Sequence, residues 1–424
     1  MQTNKIKKYD KYKDSGIEWI GEIPQDWNLT KLKQHYHFEK GKNAVLYTKE
    51  YIGQNKGPFP VYSGQTENEG IMGRVNNFDY NEQLCVFTTT VGAKVMTPRL
   101  LSGKFCLSQN CLIMIKIGEI NEKFLYYQLL SLFDYEKSLI PSYMQPSLRI
   151  ADLKQYLVIN CNEQKLITDY LDKKCEKIDR VIKNQKNIIE KLKEYKQAVI
   201  TEAVTKGLDN SAKLKDSGIE WIGKIPEHWA VCKIKHCVIF NPCYSENLKK
   251  DTLVSFAPMD CLTNCNLNCK ESTIEKISSG YTYFAEEDII MAKVTPCFEN
   301  GNIAIAKNLL NRIGFGTSEL YVFRAKNINN KFLLYFLQNR IFKDMAISTM
   351  YGTGGLKRVS SNFVKNYKFG FPRKNEQQNI ADYLDKKCSE IDIVISEKEQ
   401  LIEKLTEYKK SIIYECVTGK RKVV

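Results

Sequence analysis

The chain has 424 residues and 43% hydrophobic content, enough for two to four domains with buried cores. Its 63 Lys and Arg against 49 Asp and Glu leave a net charge of +14, which favours a polyanion partner because cationic contacts to phosphate release bound counterions. No apolar run approaches the ~20 residues of a spanning helix and Met1–Asp10 has no signal-peptide core, so a soluble, cytoplasmic protein with its 14 cysteines reduced is expected.

In chain order, the first distinctive stretch is Lys13-Asp-Ser-Gly-Ile-Glu-Trp-Ile-Gly-Glu-Ile-Pro-Gln-Asp-Trp27. It returns as Lys215-Asp-Ser-Gly-Ile-Glu-Trp-Ile-Gly-Lys-Ile-Pro-Glu-His-Trp229. All 4 tryptophans, Trp19, Trp27, Trp221 and Trp229, lie in these two copies, and we read them as candidate partner-docking residues. A chain that repeats itself is built from like units. Beyond the opening segment the text turns to turn-rich loops at 53–73 and to strand-like runs at 84–90 and 111–117. Asn121 then caps a short helix at 122–132.

A long helix follows. Ile178, Val181, Gln185, Ile188, Leu192, Tyr195 and Val199 step by three and four, as in a coiled-coil seam. The second half repeats the plan with a loop at 241–268, a strand at 320–324 and a helix at 330–342 capped by Asn329. Its final helix carries Ile391, Val394, Lys398, Leu401, Leu405, Tyr408 and Ile412, each 213 residues after its counterpart, with the polar break Gln185/Lys398 preserved. From 163 to 206 the first helix would run about 65 Å at 1.5 Å per residue. Its apolar stripe must be buried, and its twin is the expected antiparallel partner. Residues 30–115 and 232–325, by contrast, read as two unrelated texts.

Catalytic motifs are not apparent. Gly352-Thr-Gly-Gly-Leu-Lys357 reads as a glycine-rich turn rather than a phosphate loop, and there is no His-Glu-x-x-His. His35 and His37 alternate along a possible strand and are expected on a solvated surface. Cys261, Cys265 and Cys269 lack the close Cys-x-x-Cys pairing of structural zinc sites, so no metal is expected. Asn241-Pro-Cys-Tyr244 only approaches the Asn-Pro-Pro-Tyr of amino-methyltransferases.

The combination resembles the specificity subunit of Type I restriction-modification systems. The motifs that carry the likeness are Ser15–Trp27 and its copy; Ala292-Lys-Val-Thr-Pro-Cys-Phe-Glu-Asn-Gly301 with Gly314-Phe-Gly-Thr-Ser-Glu-Leu320; and Glu376-Gln-Gln-Asn-Ile-Ala-Asp-Tyr-Leu384 with Cys416-Val-Thr-Gly419. The resemblance implies an α+β chain with two mixed α/β target-recognition domains, two long antiparallel helices as a coiled-coil spacer, and an internal pseudo-twofold repeat. The expected divisions are a first recognition domain over 1–162, a spacer helix over 163–208, a second recognition domain over 213–375, and a spacer helix over 376–420.

It further implies a non-enzymatic subunit that binds double-stranded DNA at a bipartite target with a nonspecific gap, docks two modification (methyltransferase) subunits, and joins restriction subunits. S-adenosylmethionine, ATP and magnesium would belong to those partners, with no cofactor in this chain. Candidate DNA-contacting residues are Arg74, Lys94, Arg99, Lys104, Tyr143, Gln145 and Arg149 in the first domain, and Lys293, Arg312, Lys357 and Arg358 in the second. The alternatives left open are a coiled-coil scaffold without a DNA role and a fused restriction enzyme.

Overall fold

A computed structural model of the chain describes residues 7–64, 68–92, 94–141, 143–244, 249–277, 280–353 and 355–423. The chain divides into two compact units: Met1–Gln185 with Glu399–Val424, and Lys186–Lys398. The division passes through both long helices, Gln164–Lys206 and Lys374–Val417, so each unit contains a recognition region and a half of each helix. Among the described residues no helix is long and apolar enough to cross a membrane.

In the first unit a six-stranded sheet runs in the order Tyr36–Lys40, Cys111–Lys116, Tyr80–Thr89, Arg99–Leu107, Lys56–Tyr62, Ile71–Val75. Lys56–Tyr62 falls inside the stretch expected to be a loop. Pro60 pairs with Arg74 of the antiparallel edge strand, and parallel pairing with the inner neighbour begins at Val61. The second unit fills the first four places with Val238–Phe240, Leu320–Ala325, Ile289–Ala292 and Ile303–Ile305. A separate sheet follows the order Lys270–Thr273, Leu253–Ala257, Ile313–Gly316, Thr282–Ala285. Here too an expected loop, 241–268, contains a strand, Leu253–Ala257; residues 245–248 of that stretch lie outside the described ones.

The helix expected at 122–132 extends over Glu122–Ser138. The one expected at 330–342 is two, Asn330–Gln338 and Arg340–Ser348. Asn339 breaks it: its backbone is extended and its side chain accepts a hydrogen bond from the Phe342 N–H, which caps a new helix.

Each unit pairs its two half-helices antiparallel. In the first, Ile167, Leu171 and Cys175 near the start of one helix share a core with Ile412, Cys416 and Val417 near the end of the other. In the second, Ile200, Ala203 and Val204 share a core with Ile380, Leu384 and Cys388. The seam register differs from the expected one at every other position. From Ile178 the inward stripe steps four to Ile182, then to Gln185, Ile189, Leu192, Lys196 and Val199. Val181, Ile188 and Tyr195 are exposed, as are Val394, Leu401 and Tyr408, whose places fall to Ile395, Ile402 and Lys409. Both registers fit a three-and-four stepping through Ile178, Gln185, Leu192 and Val199, and the lysines at 196 and 409 disguised the true one. Their stems lie along the seam while each ammonium reaches an aspartate: Lys196 Nζ donates to both Asp392 carboxylate oxygens at 2.7 Å, and Lys409 Nζ to both of Asp179 at 2.7 Å.

Candidate nucleic-acid interface

The duplicated text is a set of long-range hydrogen bonds made twice. In the first unit the Asn121 N–H donates to Gln164 Oε1 at 2.7 Å, while Lys123 Nζ and Tyr127 Oη reach the two oxygens of Asp172 at 2.5 and 2.7 Å. In the second the Asn329 N–H donates to Gln377 Oε1 at 2.7 Å, and Lys331 and Tyr335 reach Asp385. The Lys and Tyr stand four apart on one helix face, which is why both can close on one carboxylate. Burial and that carboxylate push both tyrosine hydroxyls, Tyr127 and Tyr335, far above their ordinary range.

The opening segments form matching hairpins, Tyr12–Asp14 with Glu22–Pro24 and Leu214–Asp216 with Lys224–Pro226. The docking expectation for the tryptophans is corrected here. Trp19, Trp27 and Trp229 are buried in core, and only Trp221 keeps a substantial exposed face. Trp229 Nε1 donates to Glu376 Oε1 at 2.9 Å, beside a 2.9 Å contact from His228 Nε2 to Glu376 Oε2. Trp27 lies under Gly419, where a Cβ would stand 2.3 Å from Pro24 and 3.1 Å from the Trp27 ring; with φ of 73° the position needs glycine twice over. His35 is also corrected. It is buried, its Nε2 2.9 Å from Thr30 Oγ1 and its Nδ1 accepting the Glu119 N–H at 3.1 Å, because it closes a turn rather than lying in the strand that holds exposed His37. Asn241, in the methyltransferase-like stretch, is structural: its Oδ1 accepts the Val322 N–H at 2.9 Å.

On this frame each unit carries a rim of the same construction. In the second unit the central strand Ile289–Ala292 runs out into Lys293 and Val294, and the loop preceding the helix Ser361–Asn366 returns beside it. Val294 bridges Arg358, and the Val359 N–H donates to Lys293 O at 2.9 Å. The Thr295 N–H donates to Lys357 O at 2.9 Å, and Thr295 Oγ1 to Gly355 O at 2.8 Å. Arg358 closes a fork on Glu319, with Nε–Oε2 2.9 Å and Nη2–Oε1 2.8 Å, and holds that carboxyl below its ordinary value. Lys293 Nζ lies 5.3 Å over the Tyr321 ring, and Lys357 is exposed. The glycine-rich turn is therefore the tip of this rim. Gly352 has φ of 145°, and a Cβ there would stand 2.2 Å from Leu356 O.

In the first unit the central strand Tyr80–Thr89 runs out into Thr90 and Val91, and the loop before the helix Ile150–Gln155 returns beside it. Val91 bridges Ser147, and the Leu148 N–H donates to Thr90 O at 2.8 Å. The bridge and this one backbone bond repeat those of the other unit, Val294 to Arg358 and Val359 N–H to Lys293 O, without a shared residue type at the bridge's loop side. Lys94, Tyr143, Gln145 and Arg149 are exposed on these two loops.

Seven of the candidate residues thus belong to the two rims: Lys94, Tyr143, Gln145 and Arg149, and Lys293, Lys357 and Arg358. The other four do not. Arg74 donates to Pro58 O at 2.7 Å on the sheet's far edge, Arg99 is half-buried against Gly70, Lys104 Nζ sits 4.5 Å over the Phe78 ring, and Arg312 closes a tight turn ahead of the strand Ile313–Gly316. Sequence reasoning missed Thr295, Glu319 and Tyr351. The glycines at 352 and 355 were the signal, since left-handed backbone beside Lys357 and Arg358 marks a loop shaped for presentation.

The family profile described as the Type I restriction modification DNA specificity domain matches residues 24–194 and 230–405. The chain is 34% identical over 193 residues to the Type I restriction enzyme EcoEI specificity subunit of Escherichia coli, covering 44% of this chain and 32% of that one. It is 36% identical over 162 residues to the EcoAI specificity subunit of the same organism, covering 37% and 27%. The chain therefore spans about a third of the length of these curated relatives. The MjaVIII specificity subunit of Methanocaldococcus jannaschii is 24% identical over 435 residues, covering 95% of this chain and 94% of that one. A chain solved in work on complex assembly and conformational transition of the type I R-M system superposes with a TM-score of 0.66 at 11% identity, over 93% of this chain and 98% of the other, a likeness of fold.

Proposed function

The chain belongs to the Type I restriction-modification DNA specificity family, and from that premise we propose that it reads a DNA target in two parts and lends that specificity to methylating partners. The observation that carries the reading is the pair of rims, alike in backbone construction and unlike in residues. Like construction suits a common ligand, duplex DNA. Unlike residues suit two different half-sites, because sequence is read by donors and acceptors aimed at base edges while cations fix the register on phosphate. Lys94 and Arg149 at one rim, and Lys293 and Lys357 at the other, supply the phosphate contacts. Arg358, engaged with Glu319, shapes its loop.

The chain itself is a recognition subunit and not a catalyst. Two modification subunits dock on what is duplicated, namely the opening hairpins and the outward helix residues Val181, Ile188, Tyr195, Val394, Leu401 and Tyr408. Restriction subunits complete the assembly in the cytoplasm, and S-adenosylmethionine, ATP and magnesium reside with these partners. The helices, at 43 and 44 residues, set the interval between the half-sites.

Sequencing of methylated sites in cells with and without the gene tests the reading, together with salt-dependent binding of the purified chain to duplex. A split motif that appears only with the gene is expected, with affinity falling steeply from 50 to 200 mM salt. Salt-independent or absent duplex binding, with an unchanged methylation pattern, would leave only a protein scaffold. Inserting one heptad in both helices should alter the gap in the motif and not the half-sites.

A further inference from the structure

Both rims carry a large aromatic side chain on the open side. Tyr143 is 86% exposed and Tyr351 65%, the two most exposed tyrosines among the described residues. Each has an apolar companion on the same loop, Met144 at 55% and Leu356 at 52%. The loops share no sequence, yet both place a tyrosine between the end of one helix and the bridge to the central strand's exit. Exposed aromatic surface of this extent marks a contact face, and it stands here amid Lys94 and Arg149, or Lys357 and Lys293, which matches a polyanion.

The loop backbones that carry the rings are fastened. Tyr351 is the first rung of a small hairpin, its N–H donating to Arg358 O at 3.1 Å and its carbonyl accepting the Arg358 N–H at 2.8 Å. The Glu319 fork pins that same arginine. In the other loop the Met144 N–H, next to Tyr143, donates to Pro141 O at 2.9 Å. A loop fastened in this way has little backbone freedom to lose on binding.

We infer that Tyr143 and Tyr351 are wedges, each ring entering one base step of its half-site and parting the stack, with Met144 and Leu356 filling the groove alongside. The inference rests on the proposed DNA-reading role and assigns these residues an unstacking part in it. A stacking contact needs the ring's face; a base-edge contact would need the hydroxyl.

The test uses the full chain without methylating partners, so that no base flipped by an enzyme contributes. Probes are duplexes bearing the motif recovered by methylation sequencing, with 2-aminopurine placed at successive positions. A rise in fluorescence at one step of each half-site is expected. Tyr143→Ala should abolish the rise in one half-site and Tyr351→Ala in the other, each weakening binding roughly ten-fold. Tyr143→Phe and Tyr351→Phe should keep both the rise and the affinity. Phe variants that lose as much as the Ala variants, or tight binding by the wild type with no rise at any step, would overturn the wedge while leaving DNA reading intact. A wild-type chain that binds no duplex would overturn both.

Discussion

Gln128 and Phe336 occupy the same place in two copies of one helix, and the two units solve that place by opposite means. Gln128 is fully buried, its Nε2 donating to Ile159 O at 3.0 Å and its Oε1 accepting the Ile159 N–H at 2.7 Å. Phe336 packs on Phe369 with ring centroids 4.3 Å apart. Around them the flanking residues agree: Lys123 and Tyr127 close on Asp172 as Lys331 and Tyr335 close on Asp385. The contrast separates two kinds of conservation within one chain. The positions that bind this short helix to the long one, Asn121, Lys123 and Tyr127 with Gln164 and Asp172, are kept letter for letter as Asn329, Lys331 and Tyr335 with Gln377 and Asp385. Positions that face each region's own core are free to change chemistry, provided the local partner changes with them.

The sharpest way to break the shared frame is at its buried aromatic. Trp229→Ala should cost about 3–5 kcal/mol, because a fully buried ring and its bond to Glu376 vanish together, whereas Trp221→Ala should cost under about 1 kcal/mol. Calorimetric unfolding of the two variants would compare them; equal losses would contradict the assignment of Trp229 to core. Next comes the contrasted position. Gln128→Leu leaves the Ile159 N–H and carbonyl buried and unpaired, and should cost about 2–4 kcal/mol. Phe336→Leu should cost less, about 1–2 kcal/mol, since it loses only stacking and some volume. Denaturant melts with unchanged slope would measure both.

The helix register offers a third comparison. Ile189→Ala and Ile402→Ala should each cost about 1–3 kcal/mol, and their neighbours Ile188→Ala and Leu401→Ala less than about 0.5 kcal/mol. A reversal would restore the alternative seam. The smallest expected effect concerns the second rim alone. Arg358 depresses the Glu319 carboxyl, so this pair fastens the loop above that group's ordinary value and releases it as pH falls through the depressed one. Protection of the 351–358 amides, relative to their intrinsic exchange, should fall as pH drops through that depressed value, and Glu319→Gln should show the same loss of protection at pH 7. The first rim lacks this ion pair among its described contacts and should show no such step.

The repeats made the frame legible, since identical segments must do identical work, and the paired helices followed from their apolar stepping. What they could not fix was which of two interlocking registers faces inward. Ile178, Gln185, Leu192 and Val199 belong to both, and the choice turned on Lys196 and Lys409, polar residues whose seam role depends on aspartates in the other helix. The rims were half legible. Residue type put Lys357, Tyr143, Arg74 and Lys104 forward alike; the first two lie on the rims, whereas Arg74 and Lys104 serve local packing. Single-sequence reading ranks a cation by type, whereas its use is decided by neighbours far away in the chain. The glycines at 352 and 355 were the better guide, because a backbone constraint survives where side chains vary.

The joint between each loop and its strand is made by main-chain atoms: Leu148 N to Thr90 O in one case, Val359 N to Lys293 O in the other. Such a fastening is blind to the identity of the side chains it holds. New letters at the loop tips can therefore be tried without forfeiting the architecture, and under the proposed reading a change of taste in DNA is a matter of a few substitutions rather than a refolding. Innovation and stability are assigned to different atoms.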